Sequence, residues 1–111
     1  MGYCRAVRVG DTIHVSGTAP NGPDGHIDPD PEAQARRVLE IIGAALTEAG
    51  ASFADVVRTR VYLVDAADFD AVARAHGAVF GDIRPANTTV VVKALLNPAW
   101  RLEVEADAIL P

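Results

Sequence analysis

Three carboxylates at a two-residue spacing, Glu103, Glu105 and Asp107, are the groups in this sequence best placed to do chemistry. In the segment Arg101-Leu102-Glu103-Val104-Glu105-Ala106-Asp107-Ala108, polar and apolar residues alternate strictly. In a β-strand this alternation sends Leu102, Val104, Ala106 and Ala108 to one face and all three acids to the other. Like charges so spaced repel, so the acidic face either opens to water or meets arginines from another strand or subunit. Two readings stand at this point: a solvated sheet face, or a polar pocket in which one carboxylate handles a water molecule.

Other chemistries find less support. His14, His26 and His76 fall on a strand, a loop and a helix without paired ligand spacing, so no metal site is expected. His76 lies on the apolar side of its helix and reads as a hydrogen-bonded core histidine. The acidic loop from Asp24 to Asp30 lacks the ligand pattern and closing glutamate of a calcium loop. No P-loop, dinucleotide fingerprint or nucleophilic serine elbow is present, and no cofactor is expected. Ser16-Gly17 ends a strand, where a serine is more often a hydrogen-bonding group than a nucleophile.

The elements that must position these groups can be read from periodicity and turn chemistry. Tyr3 to Val9 and Thr12 to Ser16 read as two strands joined at Gly10-Asp11. Ala19 to Pro29 is a loop dense in turn formers, and Asp30-Pro31 opens a helix with an N-cap aspartate and a first-turn proline. Ala35, Val38, Leu39, Ile42, Ala45, Leu46 and Ala49 follow helical spacing, and Gly50 closes the helix. Val56 to Val64 is a β-branched run and predicts a strand, with Val57, Thr59, Val61 and Leu63 on one parity and Arg58, Arg60 and Tyr62 on the other. Asp68 is expected to cap a second helix that ends at Phe80-Gly81. Thr88 to Leu95 and Arg101 to Ile109 are the last two predicted strands, separated by an Asn97-Pro98 turn.

The order ββαβαββ, with two amphipathic helices, predicts an α+β two-layer sandwich: a mixed sheet with both helices on one face. The other face is left bare. If the apolar parity of the third strand meets the helices, Arg58 and Arg60 share the bare face with the three acids and neutralise them. Both parities of the Thr88–Leu95 strand carry aliphatic residues, so burial on both faces, and therefore an oligomer, is expected.

With 111 residues the chain is read as a single domain spanning 1–111. The formal net charge of −5, with one lysine and nine scattered arginines, offers no basic stripe for nucleic acid. Cys4 is the sole cysteine, which leaves no internal disulfide and fits a reducing cytoplasm. No apolar stretch is long enough to span a bilayer, and Arg5, Arg8 and Asp11 interrupt any secretory-signal core. A cytoplasmic protein without membrane association is expected.

Taken together, several motifs carry a resemblance. Val15-Ser16-Gly17 after a Gly-Asp hairpin, the run from Val57 to Asp65, Arg84-Pro85-Ala86-Asn87-Thr88-Thr89-Val90 and Leu102-Glu103-Val104-Glu105-Ala106 resemble the RidA (YjgF-like) family, known in older usage as endoribonuclease L-PSP. Each motif is unspecific alone, but their order and separations run through nearly the whole chain. The resemblance implies a chorismate-mutase-like fold and a homotrimer with three small-molecule clefts between subunits. It also implies hydrolysis of reactive imines and enamines to a 2-oxo acid and ammonia.

By the same resemblance Glu103 falls at the water-handling glutamate, Tyr3 at the cleft tyrosine and Ser16 at the cleft serine. Gly17, Asn87, Thr88 and Thr89 join the cleft lining. The family's substrate-binding arginine is expected two residues after Pro85, and this chain has Asn87 there. The cleft asparagine of the second helix is replaced by Ala73. A neutral amide supplies neither the charge nor the fork of a bidentate arginine, so its loss weakens recognition of a ligand carboxylate by roughly 2–5 kcal/mol. Arg60 and Arg84 are the candidates to reach that anion from elsewhere. Two further functions stay open: a non-catalytic small-molecule sensor or partner-binding module on the same scaffold, and ribonuclease activity, the least favoured in an acidic chain.

Overall fold

Gly10 adopts φ +59°, so the tight turn between β1 (Ala6–Val9) and β2 (Thr12–Thr18) needs the conformational freedom that only glycine gives cheaply. This hairpin begins a computed structural model that describes residues 1–111. Helix α1 (Pro31–Glu48) starts as the sequence predicts: the Asp30 carboxylate accepts the Ala33 amide at 2.9 Å, and Pro31 takes the first helical position. Strand β3 (Val56–Leu63), helix α2 (Phe69–Phe80), strand β4 (Ala86–Val91) and strand β5 (Leu102–Ile109) follow.

The five strands form one sheet in the order β1-β2-β5-β3-β4. Only β3 and β4 run parallel, because α2 carries the chain between them; every other pair is antiparallel. Both helices cover one face. Ile13, Val15, Val38, Leu39, Ile42, Leu46, Val61, Leu63, Val72, Leu102 and Val104 interdigitate beneath them as the core. The fold is the expected α+β two-layer sandwich, and β5 lies at its centre. Neither helix is long and apolar enough to cross a membrane.

Four local expectations are corrected. β4 covers Ala86–Val91 rather than Thr88–Leu95, because its parallel register starts at Arg58↔Ala86 and its partner β3 ends at Leu63. After the Val92 amide bonds Leu63 O at 2.8 Å, no backbone remains for Lys93 to Leu95 to pair with. Asp68 does not cap α2: its buried carboxylate binds Arg101 through Nε at 2.7 Å and Nη2 at 2.9 Å. Asp65 instead accepts the Ala67 amide at 2.8 Å and starts the single 3₁₀ turn that leads into the helix. A register shift between Val56 and Arg58 buries Val56 and leaves Val57 exposed, against the simple alternation. Finally, β1 pairs only from Ala6, which frees Tyr3 and Cys4 from the ladder.

Candidate functional site

The alternation of β5 holds along its length. Leu102, Val104, Ala106 and Ala108 are all in the core, and Glu103, Glu105 and Asp107 stand half-buried on the face without helices. Across β3 they meet Tyr62, Arg60 and Arg58 respectively. The three acids have different fates.

Asp107 accepts His14 Nδ1 at 2.7 Å and Arg60 Nη1 at 2.9 Å. Burial works to raise this carboxyl, but the two hydrogen bonds outweigh it and hold Asp107 below the usual range. Glu105 accepts the Tyr62 hydroxyl at 2.9 Å and lies 3.5 Å from Arg60 Nη1. The phenol is pushed up, first because its proton bonds Glu105 and second by desolvation. Arg60 is raised mainly by its bond to Asp107. Arg58 turns away from the acids and donates to Thr88 Oγ1 at 2.7 Å, so neutralisation falls to Arg60 and not to the expected pair.

Glu103 alone of the three makes no hydrogen bond or ion pair within the chain: Asp107 and Glu105 take all those of the acidic face. It faces a cleft of about 630 Å³ whose lining includes Tyr3, Arg5, Ser16, Gly17, Trp100 and Glu105. A bulge explains how β2 contributes. Val15 pairs with Ala106 and Thr18 with Val104, so one extra residue is accommodated at Ser16-Gly17 and the backbone bows outward there. A Cβ on Gly17 would overlap Glu103 Oε1, so glycine is what lets the carboxylate lie against β2. The Ser16 hydroxyl donates to Cys4 O at 2.7 Å, which fixes the segment carrying Tyr3 along the cleft edge. Tyr3 itself is exposed.

The opposite wall is set by the buried Gln34 of α1. Its Nε2 donates to Asp28 O at 2.8 Å and Ala99 O at 3.0 Å, and its Oε1 accepts the Arg101 amide at 2.8 Å. Trp100 Nε1 donates to Asn21 Oδ1 at 3.0 Å, so the two loops that border the cleft are tied directly as well. No spacing rule pointed to Gln34 or Trp100, because each acts between segments distant in sequence.

The remaining expected residues lie elsewhere. Asn87 and Thr89 are on the helix-facing side of the edge strand β4 and line a separate recess of about 190 Å³ with Phe69, Val72, Ala73 and His76. Asn87 Nδ2 donates to Thr59 Oγ1 at 3.0 Å, Thr89 Oγ1 donates to Asn87 Oδ1 at 2.9 Å, and Thr59 Oγ1 bonds His76 Nε2 at 2.9 Å. The Thr59 oxygen accepts from Asn87 and shares its second hydrogen bond with His76 Nε2, so one hydroxyl joins the edge strand to α2. Desolvation lowers the His76 pKa. Thr88 points to the opposite face, beside Arg58. Arg84 sits at φ 56° in the turn before β4, its amide bonded to Phe80 O at 2.8 Å. One chain therefore brings Glu103, Tyr3, Ser16 and Gly17 together and keeps Asn87 and Thr89 on the other side of the sheet. No group of three His, Cys, Asp or Glu side chains is arranged to hold a metal ion.

This fold and cleft place the chain in a known class. The family model described as endoribonuclease L-PSP matches residues 1–110. A solved structure of a YjgF-family protein from Mycobacterium tuberculosis superposes with a TM-score of 0.90 at 44% identity, covering 97% of this chain and 86% of that one. A RutC family protein from Pyrococcus abyssi is 42% identical over 96% of this chain and 84% of its own length. The 3-aminoacrylate deaminase RutC of Acinetobacter baylyi is 34% identical over 96% of this chain and 85% of its own. The chain belongs to the RidA (YjgF, L-PSP) family, as its sequence motifs imply.

Proposed function

We propose that this protein binds a small metabolite in clefts between the subunits of a homotrimer and hydrolyses a C–N bond of the imine or enamine class there. The observation that carries the reading is Glu103, a carboxylate left without a partner at the edge of a cleft, beside two others that are fully engaged. Its chemistry is that of a general base. Glu103 takes a proton from water, the water oxygen bonds to the imine carbon, and the C=N π-bond moves onto nitrogen. Glu103 returns its proton to that nitrogen, giving the carbinolamine; Glu103 then takes the carbinolamine hydroxyl proton and passes it to the nitrogen as the carbonyl forms, the C–N bond breaks and ammonia leaves. One imine and one water give one 2-oxo compound and one ammonia.

The trimer is supported by what a single chain leaves exposed. Val90 and Val91 on the edge strand β4, and Leu96 just beyond it, are open to solvent. Because Asn87 and Thr89 occupy the sheet face opposite Glu103, a second copy is needed to bring the two sets into one cleft. The deaminase activity named for the Acinetobacter baylyi relative supports the reaction class.

The test is turnover of 2-imino acids, generated by an amino-acid oxidase in the presence of semicarbazide, by the wild type and the Asn87→Arg and Glu103→Ala variants. Acceleration by the wild type that vanishes in Glu103→Ala is the expected result. No acceleration by the wild type, with a gain in Asn87→Arg, would mean an intact cleft tuned to another ligand. The second reading, a non-catalytic sensor, is favoured by one observation: Asn87 is neutral and already engaged by Thr59 and Thr89. Retained ligand binding in Glu103→Gln with no turnover in either form would select it.

A further inference from the structure

Of the nine arginines in the chain, five are held by carboxylates: Arg36, Arg37, Arg60, Arg74 and Arg101. Arg8 is spent on the Gly10 and Ala49 carbonyls, and Arg58 on Thr88. Arg84 lines neither the Glu103 cleft nor the Asn87 recess. The remaining one, Arg5, lines the same cleft as Glu103.

Its guanidinium is anchored through a single nitrogen. Nη1 donates to Thr18 Oγ1 at 2.6 Å, Gly17 O at 2.9 Å and, more weakly, Ser16 O at 3.3 Å. All three acceptors are uncharged, so they fix the side chain without neutralising it. Its carbon centre lies 6.0 Å from the ring centroid of Tyr3, which steadies the group further. The Nε–Nη2 edge has no acceptor in the chain. That edge binds carboxylates side-on, and the same molecule shows it doing so: Arg101 holds Asp68 through Nε at 2.7 Å and Nη2 at 2.9 Å. Arg5 and Glu103 make no ion pair with each other, so the cleft presents one unspent cation and one unspent anion.

We propose that Arg5 is the anion-recognition residue of the Glu103 cleft, its free Nε–Nη2 edge holding the carboxylate of a small 2-oxo or 2-imino acid. The assignment rests on the reading of this cleft as the ligand site. It differs from the sequence expectation in one structural respect: the cation comes from the flank of β1, on the same chain and in the lining of the same cleft as Glu103, and neither Arg60 nor Arg84 is needed. A ligand would be held between Arg5 at its carboxylate and Glu103 at its carbonyl or imine carbon. This polarity disfavours uncharged analogues of the same shape.

The experiment compares the binding of pyruvate, its neutral amide pyruvamide and inorganic phosphate, read from the fluorescence of Trp100, the only tryptophan, which lines the cleft. Wild type should bind pyruvate about tenfold to a hundredfold more tightly than pyruvamide, the range of a hydrogen-bonded charge. Arg5→Gln should erase that ratio by weakening pyruvate far more than pyruvamide. A general disturbance of the Ser16–Thr18 backbone would weaken both probes alike. Where Arg5→Gln fails to fold, the same ratio in Arg5→Lys decides, because lysine keeps the charge and loses the fork; a fall in the ratio is expected. A ratio that survives in the variant overturns the assignment and leaves the cleft chemistry of Glu103 standing. Failure of wild type to bind pyruvate, or Arg5-dependent binding of phosphate alone, also overturns it. Loss of imine turnover in Glu103→Ala tests the parent reading separately.

Discussion

The two faces of the sheet treat polar groups in opposite ways. The Glu103 cleft, at the edge of the bare face, holds a carboxylate and a guanidinium edge with no partner in the chain. On the helix face the Asn87 recess closes on itself: Thr89, Asn87, Thr59 and His76 form an unbroken neutral chain of hydrogen bonds. A satisfied network anchored on a buried group, here Thr59, stabilises and specifies a fold, whereas unsatisfied polar groups at a cleft are available to a ligand. Within one chain the first region leaves its polar groups open and the second spends them on one another, and the contrast can be broken at either end.

The largest effect is expected from Gly17→Ala. The added Cβ meets the tip of a flexible side chain, so Glu103 swings aside and the backbone stays in place. Moving the base by about 1 Å costs on the order of 10²-fold in turnover, while folding stability changes little. Imine turnover measured beside thermal unfolding checks this. A fall in stability with turnover intact would mean that the carboxylate works from another position.

Next comes Thr59→Val, which keeps the shape of a fully buried side chain and removes the oxygen shared by Asn87 and His76. Leaving those two groups short of a partner should destabilise the chain by about 1–3 kcal/mol in chemical denaturation. Ligand affinity in the Glu103 cleft, on the other face, should hold. If cleft affinity falls with stability, the Asn87 network of a second copy takes part in binding and the contrast fails.

The difference between the faces also marks what could be read from the sequence. Period-two alternation placed Leu102 to Ala108 correctly, because β5 is central and paired on both sides, so burial enforces its register. The same rule failed at Val57 and at the end of β2, where bulges insert a residue that no local pattern announces. Glu103, Tyr3, Ser16 and Gly17 were legible as cleft residues through the family resemblance, and the structure brings them together. Arg5 was not singled out, because the anchor that orients it consists of backbone carbonyls exposed only by the bulge at Ser16-Gly17. Asn87 and Thr89 were expected in clefts between subunits; within one chain they stand on the helix face of a parallel edge strand, and parity across a crossover cannot be counted from sequence.

The smallest effect separates the faces by pH. His76 has its pKa lowered from 6.5 by desolvation, so between that value and its folded value the unfolded state binds more protons. Stability is therefore full above about pH 6.5 and declines as pH falls through the folded pKa of His76. Asp107, where the bonds from His14 and Arg60 overcome burial, is lowered from 3.8. Its contribution is intact above about pH 3.9 and is lost only on further acidification, together with that of Glu32, which is lowered mainly by its bond to Arg74. Denaturation midpoints followed from pH 8 to 3 should thus decline in two windows, the helix face first and the acidic face second. His76→Gln should flatten the upper window alone, and Asp107→Asn should flatten part of the lower one. Persistence of the upper decline in His76→Gln would show that His76 is not the group that titrates there.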